Sequence, residues 1–160
     1  NYGQTGNLML AVSFVTVVSS ILAGGVSDWF AMRTKNKVRC RSLIMGAGYA
    51  LSMAAAAALP RAAVMGFLPM AAAACSMMFG VSWAAGVFWA LPVAIYSRKD
   101  HVAGTAFCSG ASNIPNPVAP MVVGVLLGSY GHWTAGWMTC AIVSVISLVS
   151  SVMLAGYKER

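Results

Sequence analysis

The chain has 160 residues, of which 59% are hydrophobic and 8% are charged, and its mean hydropathy is +0.78. Soluble domains carry about 25% charged residues, so this composition excludes a soluble enzyme, and it excludes a disordered chain, which would be polar and charged. What remains is an all-α, polytopic membrane protein built as a helix bundle.

The charged residues stand in four groups that are separated by long uncharged runs. Residues 28–41 contain one acid and five bases, Arg61 stands alone, and residues 98–100 and 158–160 hold the rest. Short basic loops between apolar segments face the cytoplasm in most membrane proteins. The net charge of +7 therefore indicates anionic lipid headgroups and membrane topology, and not a nucleic-acid partner.

Uncharged stretches of about 20 residues predict membrane-spanning helices. In chain order we predict five such helices in a single transmembrane domain that covers residues 1–160, at about 8–27, 42–60, 64–90, 103–128 and 133–156. The run 62–97 is treated as one overlong, tilted span with an interfacial tail at 91–97, because two spans there would place the main basic groups on opposite faces. The N-terminus is then outside and the C-terminus cytoplasmic, in the plasma (inner) membrane.

The end of the first predicted span carries the first candidate functional segment. Gly24 precedes Asp28 by four residues, and a basic run begins at Arg33. An acid at a helix end can pair with a base of the loop or with the N-terminus of a facing helix, and small residues before it let another helix approach closely. The alternative interpretation is an ordinary cytoplasmic basic loop with one incidental acid.

The third span ends on an aromatic pair, Phe88 and Trp89, with Trp83 five residues before Phe88. If these side chains face a cavity, they line a pocket for substrate. The alternative is that they contact lipid or neighbouring helices, as bulky aromatic residues in membrane helices commonly do.

The fourth span is interrupted by polar residues and prolines. Each proline removes a backbone donor, and an amide at this depth must form a hydrogen bond. One interpretation is a broken or kinked helix that faces a polar cavity, with Ser112, Asn113 and Asn116 binding substrate. The other is a helix–helix contact, with the asparagines bonded to a neighbour. The segment contains Ser112, Asn113, Pro115, Asn116, Pro117 and Pro120, and a Gly124-x3-Gly128 packing face follows it.

The loop segment resembles a motif of the major facilitator superfamily. Gly24-x3-Asp28 followed by a basic run is similar to G-x-x-x-D-R-x-G-R-R, the loop between the second and third helices of each half. Trp29 stands where the first arginine is expected, and no glycine precedes the basic run. These departures fit the weaker copy of the motif in the second half of that family.

The later motifs resemble the anion:cation symporter branch of the same superfamily. Asn113, Pro120 and Gly124 are similar to N-x6-P-x3-G of its eleventh helix, and Trp89-x-x-Pro92 is similar to the end of its tenth. Pro115 and Asn116 depart from the usual Gly-Gly pair, which leaves the flexibility of the helix and the shape of the cavity open.

The resemblance covers the whole chain in order and implies helices eight to twelve of a twelve-helix transporter, which is part of its C-terminal half. It implies secondary active transport of a small organic anion of carboxylate type, coupled to a cation with H⁺ as the candidate. Alternating access would move this part against the missing N-terminal half, and we expect Gly24, Asp28 and Arg33 at a cytoplasmic gate. The start at Asn1, without Met, agrees with a piece of a longer protein.

No nucleophile–base pair, phosphate-binding loop or metal-ligand spacing is visible, so we expect no catalysis, no cofactor and no metal. A second hypothesis is a small helical membrane scaffold or assembly subunit without transport activity. Coding sequence for about seven further spans upstream of Asn1 would favour the transporter, and a start codon near Asn1 would favour the scaffold.

Overall fold

The computed structural model describes residues 2–131 and 134–156, with the side chains of residues 2, 115, 116, 130, 134 and 135 outside the description. The described part of the chain is helical and contains no strand. Its helices, in chain order, are α1 Tyr2–Arg33, α2 Lys37–Met65, α3 Phe67–Phe88, α4 Leu91–Ile95, α5 His101–Asn113, α6 Pro115–Tyr130 and α7 Thr134–Ala155.

Four helical segments are long and apolar enough to cross a membrane: α1, α2, α3 together with α4, and α7. Large apolar side chains cover their outer surfaces, and Leu10, Phe14 and Ile142 are examples that are more than half exposed. In water such a surface would be unfavourable, whereas in a bilayer the same side chains contact lipid. The fold therefore confirms an all-α protein with apolar helices suited to a membrane.

The helices differ from the predicted spans mainly at their ends. α1 continues to Arg33, and α2 begins at Lys37 and passes through Pro60 and Arg61 to Met65. The uncharged length measures only the hydrocarbon core, and a helix continues through the headgroup region beyond it. The predicted interfacial tail is a separate short helix, α4, which carries Pro92 in its first turn. Backbone N–H groups in the first turn have no acceptor within the helix, so proline removes no hydrogen bond there.

The predicted fourth span is divided at Ile114 into α5 and α6, and the five-span count stays a prediction because neither part reaches the length of a span alone. Ile114 keeps helical dihedral angles (φ −57°, ψ −42°), and its N–H bonds to the carbonyl oxygen of Ala111 at 3.4 Å. Pro115 and Pro117 have no N–H to donate. The backbone therefore stays helical through this segment, and only the pattern of backbone hydrogen bonds is interrupted.

α2 is the central helix of the bundle. It packs against α3 on one side and α7 on the other, and α1 packs mainly against α3. α5 and α6 lie at the edge, where α5 contacts α4 and α6 contacts α7. The buried apolar core lies toward the basic-loop end of α1–α4 and contains Ala23, Val38, Met45, Ala84, Val87 and Leu91.

Glycine sets the closest helix approaches, at positions other than the predicted ones. A Cβ atom on Gly48 would lie 2.7 Å from the carbonyl oxygen of Gly80, so the backbones of α2 and α3 touch there. A Cβ atom on Gly24 would meet nothing within 4 Å, and the same holds for the Gly124-x3-Gly128 pair. The expectation of close packing at Gly24 and at Gly124 was therefore wrong for the part of the chain that the structure describes.

Candidate functional site

An arginine joins three helix ends on the side of the basic loop. Arg41, in the first turns of α2, forms an ion pair through Nη2 with Oδ1 of Asp28 on α1 at 2.8 Å. Its Nη1 donates to the carbonyl oxygen of Ala90, between α3 and α4, at 2.6 Å. The carboxylate at the helix end therefore pairs with a base of the following helix, which is one of the two pairings expected of it.

The three residues expected at a gate do not form one cluster. Asp28 lies in the ion pair with Arg41, whereas the guanidinium carbon of Arg33 lies 4.0 Å from the ring centre of Trp29, in a cation–π contact. Gly24 is half-buried and touches no other helix closely. Of Gly24, Asp28 and Arg33, only Asp28 links two helices through its side chain among the contacts described.

Phe88 and Trp89 occupy different surroundings although they are adjacent. Phe88, at the end of α3, lines a cavity of about 280 Å³ that is also bounded by α2, α4 and α7, with Tyr49 and Ser147 among its other lining residues. Trp89 is 47% exposed and meets the Phe88 ring edge-on, with 5.3 Å between ring centres. Phe88 therefore lines a cavity, and Asn113 is not among the residues that line it.

Trp83 belongs to a helix contact. Its indole N–H donates to the carbonyl oxygen of Ile44 on α2 at 3.1 Å, and its ring stacks on Phe79 with 5.7 Å between centres. This tryptophan fixes α3 against α2, which matches the interpretation of it as a neighbour contact.

The polar residues of the fourth predicted span lie on the surface of the edge helices. Asn113 and Ser112 are exposed, and both donate to the carbonyl oxygen of Ser109, at 2.8 and 2.9 Å. The side chain of Asn116 lies outside the described residues. The structure therefore places Asn113 and Ser112 side by side on one turn, at the point where the proline-containing segment begins.

These residues continue a polar stripe along α5. Thr105, Ser109, Ser112 and the position of Asn116 follow one another at intervals of four, three and four residues, which places them on one helix face. The hydroxyl of Thr105 is buried and has no hydrogen-bond partner. The same holds for Nε2 of His101, one turn earlier. A polar face of this kind on an otherwise apolar helix can bind a polar molecule or a polar neighbour.

Sequence reasoning missed the hydroxyl groups that join the helices. Ser19 donates to the carbonyl oxygen of Phe79 at 2.7 Å, and Ser151 donates to that of Ser42 at 2.5 Å. Serines in apolar helices were the available signal, together with the small-x3-small spacing of Gly48 with Ser52 and of Gly80 with Ala84. That spacing marks the true contact of α2 and α3.

Comparison with protein-family models, with curated proteins and with solved structures gave no match to this chain. Within residues 2–131 and 134–156 no group of three or more metal-binding side chains lies together.

Proposed function

We propose that this chain is part of a secondary active transporter that moves a small organic anion of carboxylate type by alternating access, coupled to a cation with H⁺ as the candidate. The observation that carries the proposal is the polar stripe of α5, with the exposed Asn113 at its end, on an edge helix interrupted by prolines. Polar side chains within membrane helices face the bundle interior or a water-filled cavity, so in this proposal such a cavity, or further protein, lies beside this face.

The position of the stripe supports an incomplete cavity. α5 and α6 lie at the edge of the bundle and contact only α4 and α7 among the other described helices. Interrupted helices in transporters line the substrate cavity between two repeats, because irregular backbone needs polar surroundings. In this proposal Ser112, Asn113 and Asn116 face the cavity, and the remaining helices of the carrier close it and supply the charges that bind the anion.

The ion pair of Asp28 with Arg41 supports a gate on the side of the basic loop. Arg41 links the ends of α1 and α2 with the turn between α3 and α4. A movement of α1 that separates Asp28 from Arg41 would break the ion pair. A contact made in only one access state shifts the equilibrium between states by the energy of that contact. Arg41, and not Arg33, is the base of this proposed gate.

Transport by the complete carrier tests the proposal. The protein encoded by the whole reading frame around this sequence would be purified, reconstituted in liposomes and supplied with labelled mono- and dicarboxylates under an imposed pH gradient. We expect uptake that rises with an inward proton gradient, and none from liposomes with residues 1–160 alone. A reading frame that begins near Asn1, or no uptake of any carboxylate by the complete protein, would favour the scaffold.

Replacement of Asn113 distinguishes the hypothesis of a substrate cavity from that of a helix–helix contact. In the complete carrier we expect Asn113→Ala to weaken substrate binding and to leave the thermal unfolding temperature nearly unchanged. A helix contact would behave in the opposite way, with about 0.6–2 kcal/mol of lost stability and unchanged affinity. Ser76→Ala is the matched control, because Ser76 is an exposed serine that bonds within its own helix, to the carbonyl oxygen of Ala72.

A further inference from the structure

A largely apolar groove runs along α1, α2 and α3 on the outer surface of the bundle, and Ser76 adds a hydroxyl group to the lining of its second part. Its first part is a cavity of about 260 Å³ that begins at Val26 and Ile44 and is lined by apolar side chains and one glycine. A second cavity, of about 310 Å³, begins at Val15 and shares Leu51 and Phe79 with the first. The shared lining residues join the two cavities into one groove.

The groove has the length of one bilayer leaflet. Val15 and Val26 are eleven residues apart on α1, which corresponds to about 16 Å along the helix. The hydrocarbon core of a bilayer is about 30 Å thick, so the groove reaches from the basic-loop end to about the middle. Leu51 in its wall is 43% exposed, so the groove is open to the side where lipid lies. These dimensions suit one extended acyl chain.

The close crossing of α2 and α3 forms the floor of the groove. Gly48 lines the first cavity and touches the backbone of Gly80, as described above. Beside this contact Trp83 and Phe79 stack and form one wall. The depression is therefore a fixed feature of the helix packing.

Two bases stand about 10 Å beyond the last lining residues of the groove, on the side of the basic loop. Arg33 follows Val26 by seven residues on α1, and Lys37 precedes Ile44 by seven residues on α2. Residues seven apart share a helix face, so both bases stand on the groove side of their helices. Both are exposed, Arg33 keeps its charge in the cation–π contact with Trp29, and the nearby acid, Asp28, is paired with Arg41. The mouth of the groove is therefore basic.

We propose that the groove binds an anionic phospholipid of the leaflet on the basic-loop side, with one acyl chain along the groove and the phosphate between Arg33 and Lys37. The apolar walls alone would accept any phospholipid. The two bases favour an anionic one, because a zwitterionic headgroup brings its own positive charge to the same place. This lipid site does not depend on transport.

Quenching of Trp83 by brominated lipid tests the proposal. Residues 1–160 would be reconstituted with phosphatidylglycerol or phosphatidylcholine that carries bromine midway along one chain, at equal mole fractions in unlabelled phosphatidylcholine. Trp83→Phe, measured in parallel, gives the signal of the other tryptophans. We expect brominated phosphatidylglycerol to quench the Trp83 fluorescence more strongly than brominated phosphatidylcholine. Equal quenching by the two lipids would overturn the proposal.

A matched pair of double variants tests the headgroup contact. We expect Arg33→Gln with Lys37→Gln to lower the preference for phosphatidylglycerol by about fivefold per base. Lys35→Gln with Arg39→Gln removes the same charge from the same region, at positions that are not seven residues from any lining residue of the groove, and should retain most of the preference. Equal losses in the two variants would show a general attraction of the basic loop for anionic lipid, and no site.

A second pair tests the acyl-chain contact. Ala47 lines the groove and is exposed, so the ring of Ala47→Phe occupies part of the space between its walls, whereas Ala58→Phe makes the same change on an exposed position of α2 farther along the helix. We expect only Ala47→Phe to reduce quenching by both lipids. Native mass spectrometry of the detergent-released protein gives a second measure, as the number of phosphatidylglycerol molecules retained. Unchanged quenching and retention in Ala47→Phe would place the lipid elsewhere.

Discussion

At the scale of single residues, the two members of the Asp28–Arg41 ion pair contribute unequally. The side chain of Asp28 is 66% exposed and that of Arg41 only 14%. An exposed ion pair contributes about 0–1 kcal/mol. Arg41 also donates to the carbonyl oxygen of Ala90, and a hydrogen bond from a charged donor contributes about 1.5–3 kcal/mol. Most of the stabilisation at this junction therefore depends on the arginine.

We expect Arg41→Met to lower the free energy of unfolding by about 1.5–3 kcal/mol, because it removes both contacts and keeps the aliphatic stem. Asp28→Asn should cost less than about 1 kcal/mol, because Arg41 keeps its bond to Ala90. Reversible unfolding of the purified chain in mixed micelles measures both values. Equal losses in the two variants would contradict the unequal roles.

The glycine at the crossing of α2 and α3 should not tolerate a methyl group. We expect Gly80→Ala to lower the free energy of unfolding by about 1–3 kcal/mol, because its Cβ would lie 2.5 Å from the carbonyl oxygen of Gly48. Gly24→Ala is the control, since its Cβ would meet nothing within 4 Å and alanine favours the helix by about 1 kcal/mol. The same micelle unfolding measures both, and a Gly24→Ala variant less stable than Gly80→Ala would refute the assignment.

From the sequence, an ion pair was one of the roles open to Asp28, beside a contact with a helix N-terminus and an incidental acid in a basic loop. Asp28 stands at a helix end before a run of bases, so a partner in that run was possible, and five bases were available. Arg41 is selected only after α2 turns back along α1 and the end of α3 brings the Ala90 carbonyl to the same place. Gly24 and Gly48 both stand in apolar helical runs, so the local sequence does not distinguish them. Which of the two contacts a neighbouring helix depends on the packing of whole helices.

At the scale of secondary-structure elements, the prolines at the junction of α5 and α6 reduce the number of backbone hydrogen bonds there. Pro117 cannot donate to the carbonyl of Asn113, four residues before it, although the backbone at Ile114 stays helical. Few contacts from other helices support this segment. The ladder is therefore weakest where the polar stripe ends.

We expect Pro117→Ala to restore a backbone hydrogen bond and to slow amide hydrogen exchange in residues 112–118 by about tenfold. Val118→Ala is the control, because Val118 is exposed on the same helix and its replacement leaves the ladder unchanged. Exchange followed by mass spectrometry measures both. Faster or unchanged exchange in Pro117→Ala would show that other contacts hold the segment.

The elements were predictable where long uncharged runs define them. α1, α2 and α7 contain their predicted spans almost entirely, because the length of an apolar run is a direct physical requirement of the bilayer. The interhelical bonds of Ser19 and Ser151 could not be predicted in the same way. A serine on an apolar helix bonds within its own helix unless a neighbour brings a carbonyl close, and the sequence does not specify that neighbour.

At the scale of the whole molecule, the number of crossings decides which loops share a side of the membrane. In a chain without its native cysteines, we expect single cysteines at Asn36 and Lys99 to react with a membrane-impermeant maleimide from one side, and a cysteine at Tyr130 from the other. This expectation follows from the five-span prediction, in which α5 and α6 together form the fourth crossing. Labelling of positions 36 and 99 from opposite sides would contradict the five-span arrangement.

The central position of α2 has a consequence for biosynthesis. The face of α2 that carries Ser42 and Ser52 is covered by α7, through bonds between residues 109 and 92 positions apart in the chain. At about 5–20 residues per second, a ribosome needs roughly 5–20 s to synthesise the intervening chain. During that time this face is exposed to lipid or to an insertion chaperone. A truncation that removes α7 leaves this face of α2 without its covering helix permanently.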